Sequence, residues 1–315
     1  MRPPAGPGPA EIRVPGPWHH RAVSANGVRL HVAELGSGPL VVLLHGFPEF
    51  WWAWRHQLTG LAAAGFRVAA ADLRGYGDSD KPPRGYDLWT LAGDVAGLVR
   101  ALGERSAHVV GHGWGGLIGW TVATLHPRLV ASLVVLDAPH PLAVRSRIMR
   151  DPRGQGRATL GYAAGFQVPR WPERSLTADG GARVERIMRR WSGPTWPGTP
   201  EFAEAAHRNR RAIQVPGTAH CALEYHRWAA RSQVRAEGRR FAAAMADPVR
   251  VPVLRVHGEV DPCILLATAE ASARWAGDGP LRVLPGIGHF PHEEDPAATT
   301  ALLAEFLGTD RPPSS

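Results

Sequence analysis

The chain has 315 residues, of which 44% are hydrophobic and 20% charged, and a formal net charge of +8. This balance excludes a disordered or collagen-like chain, and no run of 18 or more uninterrupted apolar residues marks a membrane-spanning helix. Two cysteines, Cys221 and Cys263, are too few for a disulfide framework, so a reducing cytoplasm is the expected setting. The basic residues are almost all Arg, Lys81 being the one Lys, and they are unevenly placed. Residues 141–250 hold 20 Arg against 9 Asp and Glu, a net of +11, so the remainder of the chain is net −3. That middle segment carries no nucleic-acid-binding motif. It reads as a solvated Arg-rich surface with some capacity to steer acidic partners.

In chain order, "MRPPAGPGPAEIRVPGPW" (1–18) is Pro/Gly-rich without an apolar h-region and is expected to be a flexible tail, not a signal peptide. From about residue 20 to 140 short apolar runs alternate with helical text. "RLHVAEL" and "PLVVLLHG" are expected strands and "WWAWRHQLTGLAAAG" a helix. "RVAAADLRGYG" is a strand and loop, and "LWTLAGDVAGLVRALG" a helix closed by Gly103. "AHVVGHG" is a strand, "WGGLIGWTVATLH" a helix and "VASLVVLDAPHP" another strand. Such alternation predicts βαβ units and a buried parallel sheet.

Residues 141–248 are Arg-rich, with scattered Trp and Pro and no convincing strand, and read as a helical insertion. The alternation then resumes: "PVLRVHGEVD" is a strand and loop, "LLATAEASARWAG" a helix, "LRVLPGIGH" a strand and "AATTALLAEFLG" a helix. The expected organisation is one α/β core, residues 19–140 and 249–308, interrupted by a helical cap at 141–248 and ending in a short tail, 309–315.

The stretch "VVGHGWGG" (109–116) has the form of a strand turning sharply into a helix, Gly-x-nucleophile-x-Gly, with Gly111 and Gly115 as the flanking glycines. The residue between them is Gly113, which has no side chain. Further loops after expected strands supply Asp261 in "HGEVD" and His289 in "GIGHF". A carboxylate that orients an imidazole is the base half of a catalytic triad, and the order elbow, Asp, His is the α/β-hydrolase order. Backbone N–H groups of Phe47 and Trp114 are the expected oxyanion donors. Asp137, after the strand "SLVVL", is a lower-ranked alternative acid. Cys263 is the one thiol near the inferred site, more readily read as inert packing than as a substitute nucleophile. His112, His140 and His292 read as structural. The nearest metal-like cluster, "HFPHEED", is better explained without an ion, and "GHGWGG" lacks the features of a dinucleotide-binding loop, so no metal or cofactor is expected.

From about residue 20 to 308 the chain resembles α/β-hydrolases of the epoxide hydrolase branch, related to haloalkane dehalogenases. The likeness rests on "HGFPEFWWAWRHQL", "ADLRGYGDSDKP", "GHGWGG", the cap segments "GYAAGFQVP" and "ALEYHRW", and the loops "HGEVDP" and "GIGHFPHEEDP". Phe47 fits epoxide hydrolases better than dehalogenases, which typically carry Asn there. The resemblance implies an α/β-hydrolase fold with an inserted cap. It also implies an elbow Asp that forms an ester with the substrate, a His–Asp pair that activates water, and two cap tyrosines that bind the epoxide oxygen.

Carried over, the nucleophile position is Gly113, the water-activating pair is His289 and Asp261, and the first tyrosine is Tyr162. The second falls on His226, or on Tyr225 beside it. Gly113 cannot form an ester. Two readings follow: general-base hydrolysis of a small apolar substrate by Asp261 and His289, or an inactive scaffold that binds a ligand. A small molecule is the expected partner of either, with the chain a monomer or homodimer and no nucleic acid or membrane involved.

Overall fold

The apolar runs become strands of one eight-stranded sheet in the computed structural model, which describes residues 7–308. The strands are β1 (His19–Ala25), β2 (Val28–Leu35), β3 (Leu40–Leu44), β4 (Arg67–Ala71), β5 (Ala107–His112), β6 (Val130–Leu136), β7 (Val253–Gly258) and β8 (Leu281–Leu284). Their spatial order is β1-β2-β4-β3-β5-β6-β7-β8. β1 and β2 run antiparallel to their neighbours and every other pair is parallel. β3, "LVVLL", is buried at every position, as a central parallel strand covered on both faces must be.

Helices α1 (Arg55–Ala63), α2 (Leu88–Ala101) and α3 (Trp114–Leu125) connect the first parallel strands. Between β6 and β7 the chain is helical, in α4 (Pro141–Arg150), α5 (Arg157–Phe166), α6 (Trp171–Thr177), α7 (Ala182–Trp191), α8 (Pro200–Ile213), α9 (Thr218–Ser232) and α10 (Ala236–Ala244). Two short helices, α11 (Leu266–Glu270) and α12 (Ala273–Ala276), precede β8, and α13 (Pro291–Glu294) and α14 (Pro296–Gly308) follow it. No described helix is long and apolar enough to cross a membrane.

From β3 the chain steps to one side to form β4, and it later returns to lay β5 on the other side of β3. In open α/β sheets ligands sit at such a reversal, beyond the carboxyl ends of the strands. The register aligns those ends: Leu44 pairs with Gly111, His112 with Leu136, Leu136 with Val256 and Gly258 with Leu284. The loops bearing Phe47, Gly113, Asp137, Asp261 and His289 therefore leave the sheet along one edge.

Several local expectations need correction. Residues 7–18 are not a free tail. Pro9–Ile12 forms a 3₁₀ turn, Ile12 and Val14 are buried, and Trp18 packs edge-on to Trp51 at 5.2 Å. The Arg13 guanidinium binds the Asp78 carboxylate, with Nε 2.6 Å from Oδ2. Three apolar side chains set among the prolines are enough to fasten the segment. Residues 1–6 and the expected tail at 309–315 lie outside the described residues.

Strand β1 went unrecognised, although Asn26-Gly27 (both at positive φ) is the turn that joins it to β2. The single helix expected over "WWAWRHQLTGLAAAG" is a 3₁₀ turn, Trp51–Trp54, followed by α1, and "LLATAEASARWAG" is split into α11 and α12.

Candidate active site

The turn after β5 is fixed by crowding. Cβ atoms at Gly111 and Gly115 would overlap the Gly115 carbonyl and the Leu44 carbonyl respectively, so neither position admits a side chain. Gly113 differs. It stands at φ 50°, ψ −115°, a backbone region that favours glycine, yet it has room. A Cβ built there meets only Gly46 Cα at 3.6 Å and His289 Nε2 at 3.8 Å. The Gly113 N–H donates to the Leu136 carbonyl (3.1 Å) and the Gly115 N–H to the His45 carbonyl (3.1 Å). These bonds present the side-chain direction of residue 113 toward the imidazole of His289.

His289 and Asp261 come together as expected. The His289 Nδ1–H donates to Asp261 Oδ2 at 2.7 Å, and the two residues are 5% and 4% exposed. Asp261 Oδ1 accepts the N–H groups of Cys263 (2.7 Å) and Ile264 (3.0 Å). Burial pushes the Asp261 carboxyl up, but the facing His289 outweighs it and the carboxyl lies below its usual range. Burial likewise opposes charging of His289, and Asp261 more than offsets it, so the imidazole is raised. Nε2 of His289 has no hydrogen-bond partner among the described residues.

The base loop is tied to the cap. The His289 N–H donates to the Trp191 carbonyl at 2.9 Å, and the Glu294 carboxylate accepts from the N–H groups of Gly193, Gly288 and Phe290. Beneath the dyad, His112 bridges the His289 carbonyl, 2.7 Å from Nε2, and the Glu49 carboxylate, 2.7 Å from Nδ1. His292 donates to the other Glu49 oxygen at 2.9 Å. Burial raises the Glu49 carboxyl, yet His112 and His292 hold it well below its usual range. In the sequence His112 and His292 stand singly, and the one signal for Glu49 is its place in "HGFPEF", a loop at the site edge.

Asp137 is not hydrogen-bonded to His289, although its charge adds to that of Asp261 in raising the imidazole. It pairs with His257, with Oδ1 2.9 Å from Nδ1, and accepts the Gly258 N–H. The clusters Glu49–His112–His292 and Asp137–His257–Asp261 hold donor atoms within 4.8 Å of one another. In the first, all three residues are already joined by hydrogen bonds. Cys263 is buried, and burial together with the Asp261 charge pushes its thiol well above the usual range, so it carries little thiolate.

Over Gly113 stands a cage of rings. Phe47 meets His226 (5.1 Å), Phe166 (5.6 Å) and Trp191 (6.2 Å). Tyr162 meets Trp191 at 5.1 Å and His226 at 6.1 Å, with its hydroxyl beside the Cys263 thiol. His226 is fixed by its bonds: Nδ1–H donates to the Ala222 carbonyl (3.2 Å), and Nε2 accepts the Trp114 indole N–H (3.1 Å). Burial lowers its pKa to about 4, so it is neutral and has no free proton to offer.

Tyr225 points away from the cage. Its hydroxyl donates to the Arg74 carbonyl at 2.7 Å and its ring packs on Tyr76, Tyr86 and Trp114. Of the two positions expected for the second tyrosine, His226 therefore lines the site and Tyr225 does not. Phe166 and Trp191 were missed, because nothing in isolated cap text marks which aromatic faces inward.

A model of the alpha/beta hydrolase fold matches residues 39–296. The chain belongs to that family. Within it the chain falls in the epoxide hydrolase-like branch. It is 31% identical to Epoxide hydrolase 2 of Siraitia grosvenorii, over 91% of this chain and 98% of that protein. It is 32% identical to the AB hydrolase superfamily protein YfhM of Bacillus subtilis, over 90% and 96%. Among solved structures, Epoxide Hydrolase A from Mycobacterium thermoresistibile aligns with a TM-score of 0.76 at 29% identity, over 92% of this chain and 98% of that one. These likenesses span the sheet and the intervening helices alike.

Proposed function

We propose that this α/β-hydrolase acts on a small apolar epoxide by general-base hydrolysis. The observation that carries the reading is the buried Asp261–His289 pair, whose free Nε2 faces the side-chain position of Gly113 at 3.8 Å. A water held there loses a proton to His289 as its oxygen attacks the substrate, and Asp261 stabilises the imidazolium that forms. The N–H groups of Phe47 and Trp114 serve a developing oxyanion, the Tyr162 hydroxyl is the remaining cap donor, and the surrounding rings exclude bulk solvent. No resident cofactor enters this scheme, and the expected rate gain is that of a positioned base, about 10²–10⁴-fold.

A second reading, a ligand-binding protein without turnover, is favoured by one observation: His226 replaces a proton donor with a ring whose nitrogens are both engaged. Diol formation from a panel of epoxides separates the two. We expect slow turnover by the native protein, lost in His289→Ala, and faster turnover by Gly113→Asp. Product from Gly113→Asp alone would establish the binding reading, and native turnover unchanged by His289→Ala would refute the general-base scheme.

A further inference from the structure

Three features converge on the side-chain position of residue 113. The first is room: a Cβ there has ordinary contact distances to Gly46 Cα and His289 Nε2, while the neighbouring glycines admit nothing. The second is the start of α3, a helix of 12 residues whose first residue is Trp114: the Gly115 N–H is taken by the His45 carbonyl, and the Trp114 N–H and the positive end of the helix dipole favour an anion. The third is His289, 5% exposed, with Nδ1 committed to Asp261 and Nε2 directed at the same point.

A negative charge at that point gains a charge-assisted hydrogen bond from an imidazolium whose own countercharge, Asp261, lies behind it. Residue 113 sets the size: glycine leaves the space of one short side chain between Gly46 Cα and His289 Nε2, so the occupant has few heavy atoms. The residues that follow β6, 141–250, carry the chain's excess of positive charge, which raises the local concentration of anions.

We infer that the elbow at Gly113 is a binding site for a small free monocarboxylate of formate or acetate size, held by His289 Nε2 and the N–H of Trp114. The inference builds on the epoxide reading only in what the bound carboxylate then does. A carboxylate oxygen forms a bond to an epoxide carbon, the ring C–O bond breaks with its electron pair passing to the ring oxygen, and that oxygen takes a proton from water, leaving hydroxide. The product is a hydroxy ester. Hydroxide then adds to the ester carbonyl, the acyl C–O bond breaks, and diol leaves with the carboxylate regenerated. Epoxide and water are consumed in equal amounts and no oxidant or reductant is needed.

The test is a titration of [¹³C]formate with the purified full chain, followed by the formate resonance, alongside loss of styrene oxide with and without formate. Saturable broadening is expected with the native protein. His289→Gln should weaken it about 10- to 100-fold, the loss of one charge-assisted bond. Gly113→Asp, which supplies its own carboxylate, should abolish it.

No broadening, or equal broadening in all three proteins, overturns the inference; the latter marks adventitious surface binding. If Gly113→Asp does not fold, His289→Gln alone decides. Formate-dependent loss of styrene oxide, with a hydroxy formate ester detected on quenching, supports both the site and the epoxide reading. Site-dependent binding without such loss supports the site and counts against the epoxide reading. Formate-independent turnover without binding does the reverse.

Discussion

Gly113 and Gly115 sit two residues apart in one turn and are glycine for different reasons. At Gly115 the Leu44 carbonyl occupies the space of a side chain, whereas at Gly113 the space is open and only the backbone angles, φ 50° and ψ −115°, resist one. A non-glycine residue in such a region costs about 1–3 kcal/mol. Gly113→Asp should therefore unfold more readily than the native chain by that amount, while Gly115→Ala should lose far more or fail to fold. Chemical denaturation of the two variants checks this. Equal stability of native and Gly113→Asp would mean that the elbow relaxes once it carries a side chain. The motif itself was legible, because the spacing Gly111-x-Gly113-x-Gly115 is local. The direction of the side-chain position toward His289 was not, because it depends on a residue 176 positions away in the chain.

At the scale of elements, the parallel strands were readable because burial on both faces leaves unbroken apolar runs such as "LVVLL". β1 was not, because its burial alternates and its "HHRAVSA" carries polar residues outward. The functional side chains on strand-end loops, Asp261 and His289, could be named for the same reason as the strands: each follows a recognisable apolar run. The cap was legible only as helical text. Which of its rings face the site is set by how α5, α7 and α9 pack, so nothing in the sequence singles out Phe166 or Trp191 as a site residue, and Tyr225 stands as an alternative to His226.

The N-terminal segment shows the converse error, in which Pro/Gly content concealed a few residues that matter. Ile12 is 3% exposed and its carbonyl accepts the Trp51 indole N–H at 3.3 Å. Truncating a buried Ile to Ala costs about 2–5 kcal/mol in a rigid core, and the low end applies to a segment that can shift. Ile12→Ala should lower stability by about 2 kcal/mol, equivalent to about 3 °C in Tm at about 2.1 cal/mol/K of unfolding entropy per residue. A differential scanning measurement showing no change would restore the view of residues 7–18 as a free tail.

For the whole molecule, the buried titratable groups make stability depend on pH from both sides. Burial lowers the pKa of His226 and His292 to about 4 and of His140 to about 3, against 6.5 for an unperturbed imidazole. Between pH 6.5 and 4 the unfolded chain binds protons at these positions that the folded chain refuses, so stability falls as the solution is acidified, by up to about 1.4 kcal/mol per pH unit for each group. Glu293 opposes this. Burial raises its carboxyl to about 7 despite the Arg55 guanidinium 2.7 Å away, so the folded form takes up that proton first and gains stability as pH falls toward 4.5. On the alkaline side His257 is raised to about 9: burial works against its charge, but Asp137 prevails. Its contribution is complete below pH 6.5 and is lost as pH rises through 9. Tm should therefore be highest between about pH 6 and 7 and decline in both directions. Glu293→Gln should steepen the acid limb, because it removes the opposing proton uptake and leaves the three histidines unbalanced. His257→Gln should flatten the alkaline limb while lowering the maximum. Thermal unfolding of the three proteins from pH 5 to 9 decides the matter: a flat native profile, or an acid limb unchanged by Glu293→Gln, would show that these groups titrate in the folded chain as they do in the unfolded one.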